Sequence, residues 1–293
     1  MERTVATRAP ARPLPRWFRH AAHLLPLYAV LLPAAVLTLI PTVHMYSLAF
    51  TPEAETLRWP IRYIPDHPTL DNFQRLVSNP DLPILRWLFN SFFISTSVTV
   101  LVLFIDSLTA YAFARLEFPG REVLFIAVLT TMMIPGQVTL IPMFLIMREL
   151  HWLDTYNALI WPAGAHVFGV FLLRQFFQSI PREMEEAAII DGCSKFRVYW
   201  DIILPLGQSA LLALAIFSFL GAWNDLFWPL IALNTAEMRT LPVGLTILNS
   251  EAYTQRGLTM AGAALTSTPV LILYAIFQRR IIQGVMVSGL AGR

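Results

Sequence analysis

Of the 293 residues, 56% are hydrophobic and only 14% charged, whereas a soluble domain carries roughly 25% charged residues. The chain lacks the charge to cover a water-facing surface of its size, and its mean hydropathy of +0.58 makes lipid its natural solvent. A net charge of +2 points to no nucleic-acid partner, and the lone Cys193 excludes an internal disulfide and any cysteine-built zinc or iron–sulfur site.

In chain order, residues 1–23 are a basic arm, and the Arg/Pro-rich composition of its first part predicts disorder. Residues 24–293 read as a transmembrane domain. A helical span needs about 20 predominantly apolar residues, and the stretches that qualify are about 24–50, 88–114, 123–147, 156–177, 203–233 and 261–282. The first is too long for the core of a cleaved signal peptide. The fifth is long enough to tilt or break. Pro33, Pro41, Pro135, Pro142, Pro162, Pro229 and Pro269 predict kinks, which membrane helices tolerate when neighbours satisfy the freed carbonyls. The expectation is an all-α integral membrane protein with six transmembrane helices. With the N-terminus inside, Lys and Arg divide 14 inside to 7 outside, which predicts cytoplasmic termini.

The largest inside loop, about 178–202, is built as helix, sharp turn, helix. Pro181 suits a first helical turn, and Glu183, Glu185 and Glu186 follow near the positive end of the helix dipole. Ala187 and Ala188 favour helix and leave a flat surface. Gly192 can take the left-handed conformation that ends a helix, and Ser194 can cap the next one. Pro205 marks entry into the following span. The loop is therefore an amphipathic projection on the cytoplasmic side, either a docking element or an interfacial connector without a partner.

Glu186-Ala187-Ala188, then Gly192, then Ile202-x-Leu204-Pro205 resembles the signature loop of ABC importer permeases, at the full spacing and before the penultimate span. The resemblance runs over most of the chain. Leu70-Asp71-Asn72-Phe73, Asn90-Ser91, the segment from Tyr111 to Gly120, Ile134-Pro135-x-Gln137 and Ala222-Trp223-Asn224-Asp225 are similar to segments of carbohydrate-uptake permeases. The ending from Phe277 resembles the tail of the maltose-permease (MalG-like) type, although that tail usually closes on Lys-Gly and this one closes on Gly292-Arg293.

The resemblance implies a type I importer permease fold in a bacterial-type inner membrane. The loop would be a coupling helix, with Glu186, Ala187, Ala188, Gly192, Ile202, Leu204 and Pro205 as its coupling residues. It also implies a heterodimer with a second permease subunit, two copies of a cytoplasmic ATPase and an extracytoplasmic solute-binding protein. No Gly-x-x-x-x-Gly-Lys-Ser/Thr loop occurs in the sequence, so ATP and Mg are expected on the ATPase and no cofactor on this chain. The implied cargo is a sugar or a sugar-like polyol ester, moved by alternating access.

Asp106 and Asp225 lie in apolar stretches, where a carboxylate costs roughly 2.5–3.5 kcal/mol on insertion scales. Asp225, with Trp223, Asn224 and Trp228, reads either as a wall of the solute path or as a helix contact or interfacial aromatic belt. The aliphatic neighbours of Asp106 favour a structural role. His44 and His166 read as packing residues. Gln137, beside Pro135 and Gly136, lines a cavity or marks a kink. No catalytic constellation emerges. The competing class is an ion-coupled secondary transporter using Asp106 and Asp225, but no internal repeat is evident.

Overall fold

A computed structural model describes residues 16–251 and 255–290. Residues 1–15 of the basic arm and the closing Gly292-Arg293 lie outside the described residues. The chain is helical throughout the described residues, with no strand. In order come α1 (Arg16–Ala49), α2 (Asp71–Ser78), α3 (Ile84–Arg115), α4 (Arg121–Thr130), α5 (Gly136–Glu149), α6 (Asn157–Ile160) and α7 (Val167–Ser179). They are followed by α8 (Glu183–Ile190), α9 (Lys195–Val198), a π-helical turn (Tyr199–Ile203), α10 (Leu204–Leu206) and α11 (Gln208–Asn224). The chain continues through α12 (Phe227–Ala232), α13 (Leu241–Glu251) and α14 (Arg256–Leu290). Helix α1 starts at Arg16, inside the predicted arm.

Among the described residues, three single helices are long and apolar enough to cross a membrane: Pro26–Ala49, Ile84–Arg115 and Arg256–Gln278. Two further helix pairs meet the same criterion only when taken together, each bent at a short break. Arg121–Met133 meets Gly136–Glu149 at 98°, and Lys195–Leu206 meets Gln208–Asn224 at 78°. The first bend falls at Ile134-Pro135, where proline cannot continue the ladder and pushes its predecessor out of helical geometry. The second falls at Gly207. The predicted stretch 156–177 differs from expectation: it splits into α6, of 4 residues, and α7, of 13, neither long enough to span alone. Pro162 and Gly164 sit in that break, where the Gly164 N–H donates to the Trp161 carbonyl at 3.1 Å.

Helix α3 is the spine, packed along α7 and α11. One core gathers Val98 and Val102 of α3, Leu173 and Phe177 of α7, Ile203, and Leu214 of α11. A second gathers Trp87, Trp223 and Leu241 with Ala261 and Ala264 of α14. Lipid tails are as apolar as leucine, so these cores are held by van der Waals fit rather than by escape from water. Small residues at Ala210, Ala213, Ala261 and Ala264 allow the close approach such packing needs. Helix α1 packs on α14 and leaves Leu27, Val30, Leu37 and Val43 exposed.

The intramembrane carboxylate Asp106 is a fastener. It is wholly buried, and its Oδ1 accepts the backbone N–H of His166, the residue preceding α7, at 3.2 Å. A Cβ at position 169 would lie 2.0 Å from Asp106 Oδ2, so Gly169 is what lets α7 approach α3 here. This is the structural role that its aliphatic neighbours favoured. At the start of α3, Trp87 donates its indole N–H to the Ala236 carbonyl at 2.6 Å. Asn90 donates to the carbonyls of Glu237 and Arg239 at 2.7 and 2.9 Å and accepts from the Tyr156 hydroxyl at 2.7 Å. The Ser91 hydroxyl oxygen accepts from the Leu241 N–H at 2.8 Å. The Asn90-Ser91 pair thus fixes the 236–241 segment to the end of α3 away from the 178–202 loop.

Candidate functional site

The 178–202 loop folds as its composition requires. Glu183, Glu185 and Glu186 occupy the first turn of α8, at the positive end of its dipole. Helix α8 closes in a Schellman arrangement: Cys193 N–H bonds the Ala188 carbonyl at 2.9 Å and Gly192 N–H bonds that of Ile189 at 3.0 Å. Gly192 stands at φ +86° with nothing within 4 Å of a Cβ built there, so conformation and not space demands glycine. Ser194 then caps α9, its hydroxyl oxygen accepting from Arg197 N–H at 3.3 Å.

The coupling residues expected from the sequence divide by direction. Ala188, Ile202 and Leu204 pack against the chain's own core, as does their neighbour Cys193, which is not one of them. Glu186, Ala187, Gly192 and Pro205 are exposed. Beside them Met184, Ile189, Ile190 and Phe196 are exposed as well, Ile190 to 85%. A short helix held from behind and apolar in front is the form of a docking element.

What holds it from behind was not legible in the sequence. Arg115, the last residue of α3, lies 2.8 Å (Nε to Oε1) from Glu185 of α8, with both side chains largely buried. The same guanidinium donates to the carbonyls of Ile180, at 2.6 Å, and Phe177 at the end of α7. Burial pushes the Glu185 carboxyl up, against the pull of Arg115 and Arg182. One turn back along α3 the Tyr111 hydroxyl donates to the Lys195 carbonyl at 2.9 Å, and one further turn back Ser107 and Tyr199 share a hydroxyl–hydroxyl bond of 2.8 Å. Nearby, Arg174 of α7 grips both carboxylate oxygens of Glu122 at 3.0 Å and lies 3.9 Å over the Phe125 ring, joining α4 to α7. The signal available in the sequence was the spacing of four between Ser107, Tyr111 and Arg115, which puts them on one face of the helix.

The residues expected to line the solute path are placed differently. Trp223 is buried, stacked on Phe219 at 5.8 Å, and its indole N–H donates to the Thr266 carbonyl of α14 at 3.1 Å. Trp228 is half-buried and donates to the Ala158 carbonyl at 2.8 Å. Asp225 follows the end of α11 and its Oδ1 accepts the N–H groups of Phe227 and Trp228 at 3.2 and 3.5 Å, satisfying the first donors of α12. Asn224 is exposed, its amide on the Leu220 carbonyl at 2.9 Å. Gln137 is exposed in the first turn of α5 at the 98° bend; among the described residues it makes no hydrogen bond to the 223–228 group. The structure therefore gathers 223–228 into one helix break and leaves Gln137 apart.

At the opposite end from the 178–202 loop, Asp154, at φ +59°, clasps the segment after α12. Its Oδ1 accepts the N–H groups of Asn234 and Thr235 at 2.9 and 3.1 Å and the Thr235 hydroxyl at 3.2 Å. Burial raises this carboxyl, but those donors, with Arg239, bring it net below the ordinary carboxylate value.

Residues 107–287 match the family described as the binding-protein-dependent transport system inner membrane component. The arabinooligosaccharides transport system permease protein AraQ of Halalkalibacterium halodurans is 36% identical over 260 residues, 88% of this chain and 93% of that protein. The sn-glycerol-3-phosphate transport system permease protein UgpE of Yersinia enterocolitica is 32% identical, covering 89% of this chain and 95% of that protein. The crystal structure of a bacterial ABC transporter involved in the import of the acidic polysaccharide alginate contains a chain of the same fold, with a TM-score of 0.78 and 24% identity over 92% of this chain and 99% of that one. The fold is thus the type I importer permease fold, and this chain belongs to the family of inner-membrane permease components of binding-protein-dependent ABC importers, a multi-pass transport subunit and not an enzyme.

Proposed function

We propose that this chain carries a sugar or sugar-like polyol ester inward as one half of a heterodimeric permease. Its relatives, named for arabinooligosaccharides and sn-glycerol 3-phosphate, support that class of cargo. Two copies of a cytoplasmic ATPase bind the ATP and Mg, an extracytoplasmic binding protein delivers the solute, and both termini are cytoplasmic. The observation that carries this reading is the exposed face of α8. Glu186, Ala187 and Ile190 stand exposed among the described residues, on a helix that is anchored from behind by Arg115 and closed by Gly192. Ala187, with only a methyl group, permits close approach of another backbone. ATP-driven closure of the ATPase pair then drags α8 and α9, and the bent spans respond.

The solute path, in this reading, runs past the broken ends of helices, as in other transporters whose sites use unwound backbone. Asn224, Gln137 and the Asp225 carboxylate supply hydrogen bonds, and Trp223 and Trp228 support them from behind through their bonds to the Thr266 and Ala158 carbonyls. The test is uptake by proteoliposomes carrying both permeases, the ATPase and the binding protein, against a panel of labelled oligosaccharides and glycerol 3-phosphate. The expected result is accumulation of a panel member that needs ATP and the binding protein together. Accumulation driven by an ion gradient through this chain alone contradicts the reading.

A further inference from the structure

Ser107, Tyr111 and Arg115 are separated by four residues each, so they rise on one face of α3 at one residue per turn. Each ties a different piece of the 178–202 loop. Arg115 holds Glu185 of α8 and, across the Pro181 break, the closing carbonyls of α7 at Phe177 and Ile180. Tyr111 holds the Lys195 carbonyl, the first residue of α9. Ser107 holds the hydroxyl of Tyr199, which opens the π-helical turn and lies 5.2 Å, ring to ring, from Tyr111. The three attachments use both side chains and backbone, and all lie on the side of the loop away from the exposed Glu186 and Ala187.

Helices of 8 and 4 residues cannot keep their orientation by themselves, since a helix this short is marginal without tertiary support. Apolar packing through Ala188, Cys193, Ile202 and Leu204 gives the loop adhesion, but such contacts are non-directional and let a short helix roll or slide. A buried ion pair to α8 and directional hydrogen bonds to α9 and the π turn remove that freedom. They also make α3 the element that must move when the loop moves. The other end of the same helix holds the 236–241 segment through Trp87, Asn90 and Ser91, so displacement of α3 reaches both faces of the molecule.

We propose that Ser107, Tyr111 and Arg115 are positioning residues for energy coupling: they lock both coupling-loop helices to α3, so that movement imposed on α8 by the ATPase is delivered to α3 as a rigid displacement. The proposal rests on the docking of α8 described above. Its readout is the number of ATP molecules hydrolysed per solute imported, which loss of folded protein does not change because both rates then fall together.

The decisive variant is the double substitution Ser107→Ala with Tyr111→Phe, which removes two hydroxyls and almost no volume. In the complete complex in proteoliposomes, assembly and binding-protein-stimulated ATP hydrolysis persist, while ATP consumed per solute rises at least about fivefold, the factor expected if even one of the two lost buried hydrogen bonds matters only in the moving state. Arg115→Gln raises the ratio further, and Arg115→Lys restores part of it by keeping the charge beside Glu185. An unchanged ratio in the double variant overturns the proposal. Ala187→Trp, run in parallel, separates this from the docking reading. If Ala187→Trp blocks ATPase association while the double variant keeps its ratio, only the locking role falls; if Ala187→Trp assembles and couples normally, the docking reading itself falls.

Discussion

The 178–202 loop and the 223–228 break are both polar interruptions in an apolar chain, and the structure treats them in opposite ways. In the loop, Glu186 and Ala187 point outward and the intramolecular bonds run through Arg115, Tyr111 and Ser107 behind them. In the break, the indole of Trp223 is spent on Thr266, that of Trp228 on Ala158, and the Oδ1 of Asp225 on the first N–H groups of α12. A residue that faces a partner protein is free within its own chain, whereas a polar residue in lipid must first satisfy its own helix breaks. The contrast predicts that variants in the loop change coupling and variants in the break change stability first.

The largest effect is expected at Gly192. Proline cannot reach φ +86° and would lose the N–H bond to Ile189, so Gly192→Pro abolishes transport while membrane insertion, read by protease protection, is kept. Because nothing lies within 4 Å of a Cβ there, Gly192→Ala carries only the left-handed backbone cost of about 1–2 kcal/mol, which leaves measurable transport. Equal loss in both variants would place another atom against that glycine.

Next in size is Trp223→Ala, which opens a cavity between α11 and α14 and costs about 3–5 kcal/mol in thermal unfolding of the detergent-solubilised complex. A folded, equally stable Trp223→Ala with altered solute preference would move that indole onto the path and erase the contrast. Smaller again is Asp225. Asp225→Ala removes the cap on α12 at about 1 kcal/mol, whereas Asp225→Asn keeps an accepting oxygen. At equal membrane abundance, Asp225→Ala lowers transport more than Asp225→Asn, and also more than Asp106→Ala. If Asp106→Ala transports less, the buried carboxylate and not the break carries the function.

The smallest effect is the acid response of the Asp154 clasp. Its carboxyl is held net below the ordinary value of 3.8, so its contribution is fully present above that value and disappears as the pH falls through the lowered one. Amide exchange at Asn234 and Thr235, corrected for intrinsic rates, should accelerate only in that acid range. Acceleration already at neutral pH would mean that the ionised carboxylate does not hold the segment.

The loop was legible in the sequence because its rules are local. Proline before a helix, acids in its first turn, glycine at a left-handed stop and serine at a cap are each written within a few residues. The bends were half legible: Pro135 marked one, while the length of the fifth stretch allowed a break without placing its 78° turn at Gly207. The anchor at Arg115 was not legible, because its partners Phe177, Ile180 and Glu185 are distant in sequence and an arginine at a helix end reads as an inside-loop charge. The same holds for Trp223. Its neighbours Asn224 and Asp225 suggested a polar wall, and only the approach of α14 shows that the indole faces the Thr266 carbonyl.

The most direct test of the central claim, that α8 presents its outward face to the ATPase and keeps its inward face for the chain, is cross-linking at two adjacent positions. In a Cys193→Ser background, Ala187→Cys and Ala188→Cys differ by one residue and by direction, exposed against core-packed. In the assembled complex, cysteine at 187 should cross-link to the ATPase in high yield and cysteine at 188 should not. Equal yields, or cross-linking at 188 alone, would contradict the account.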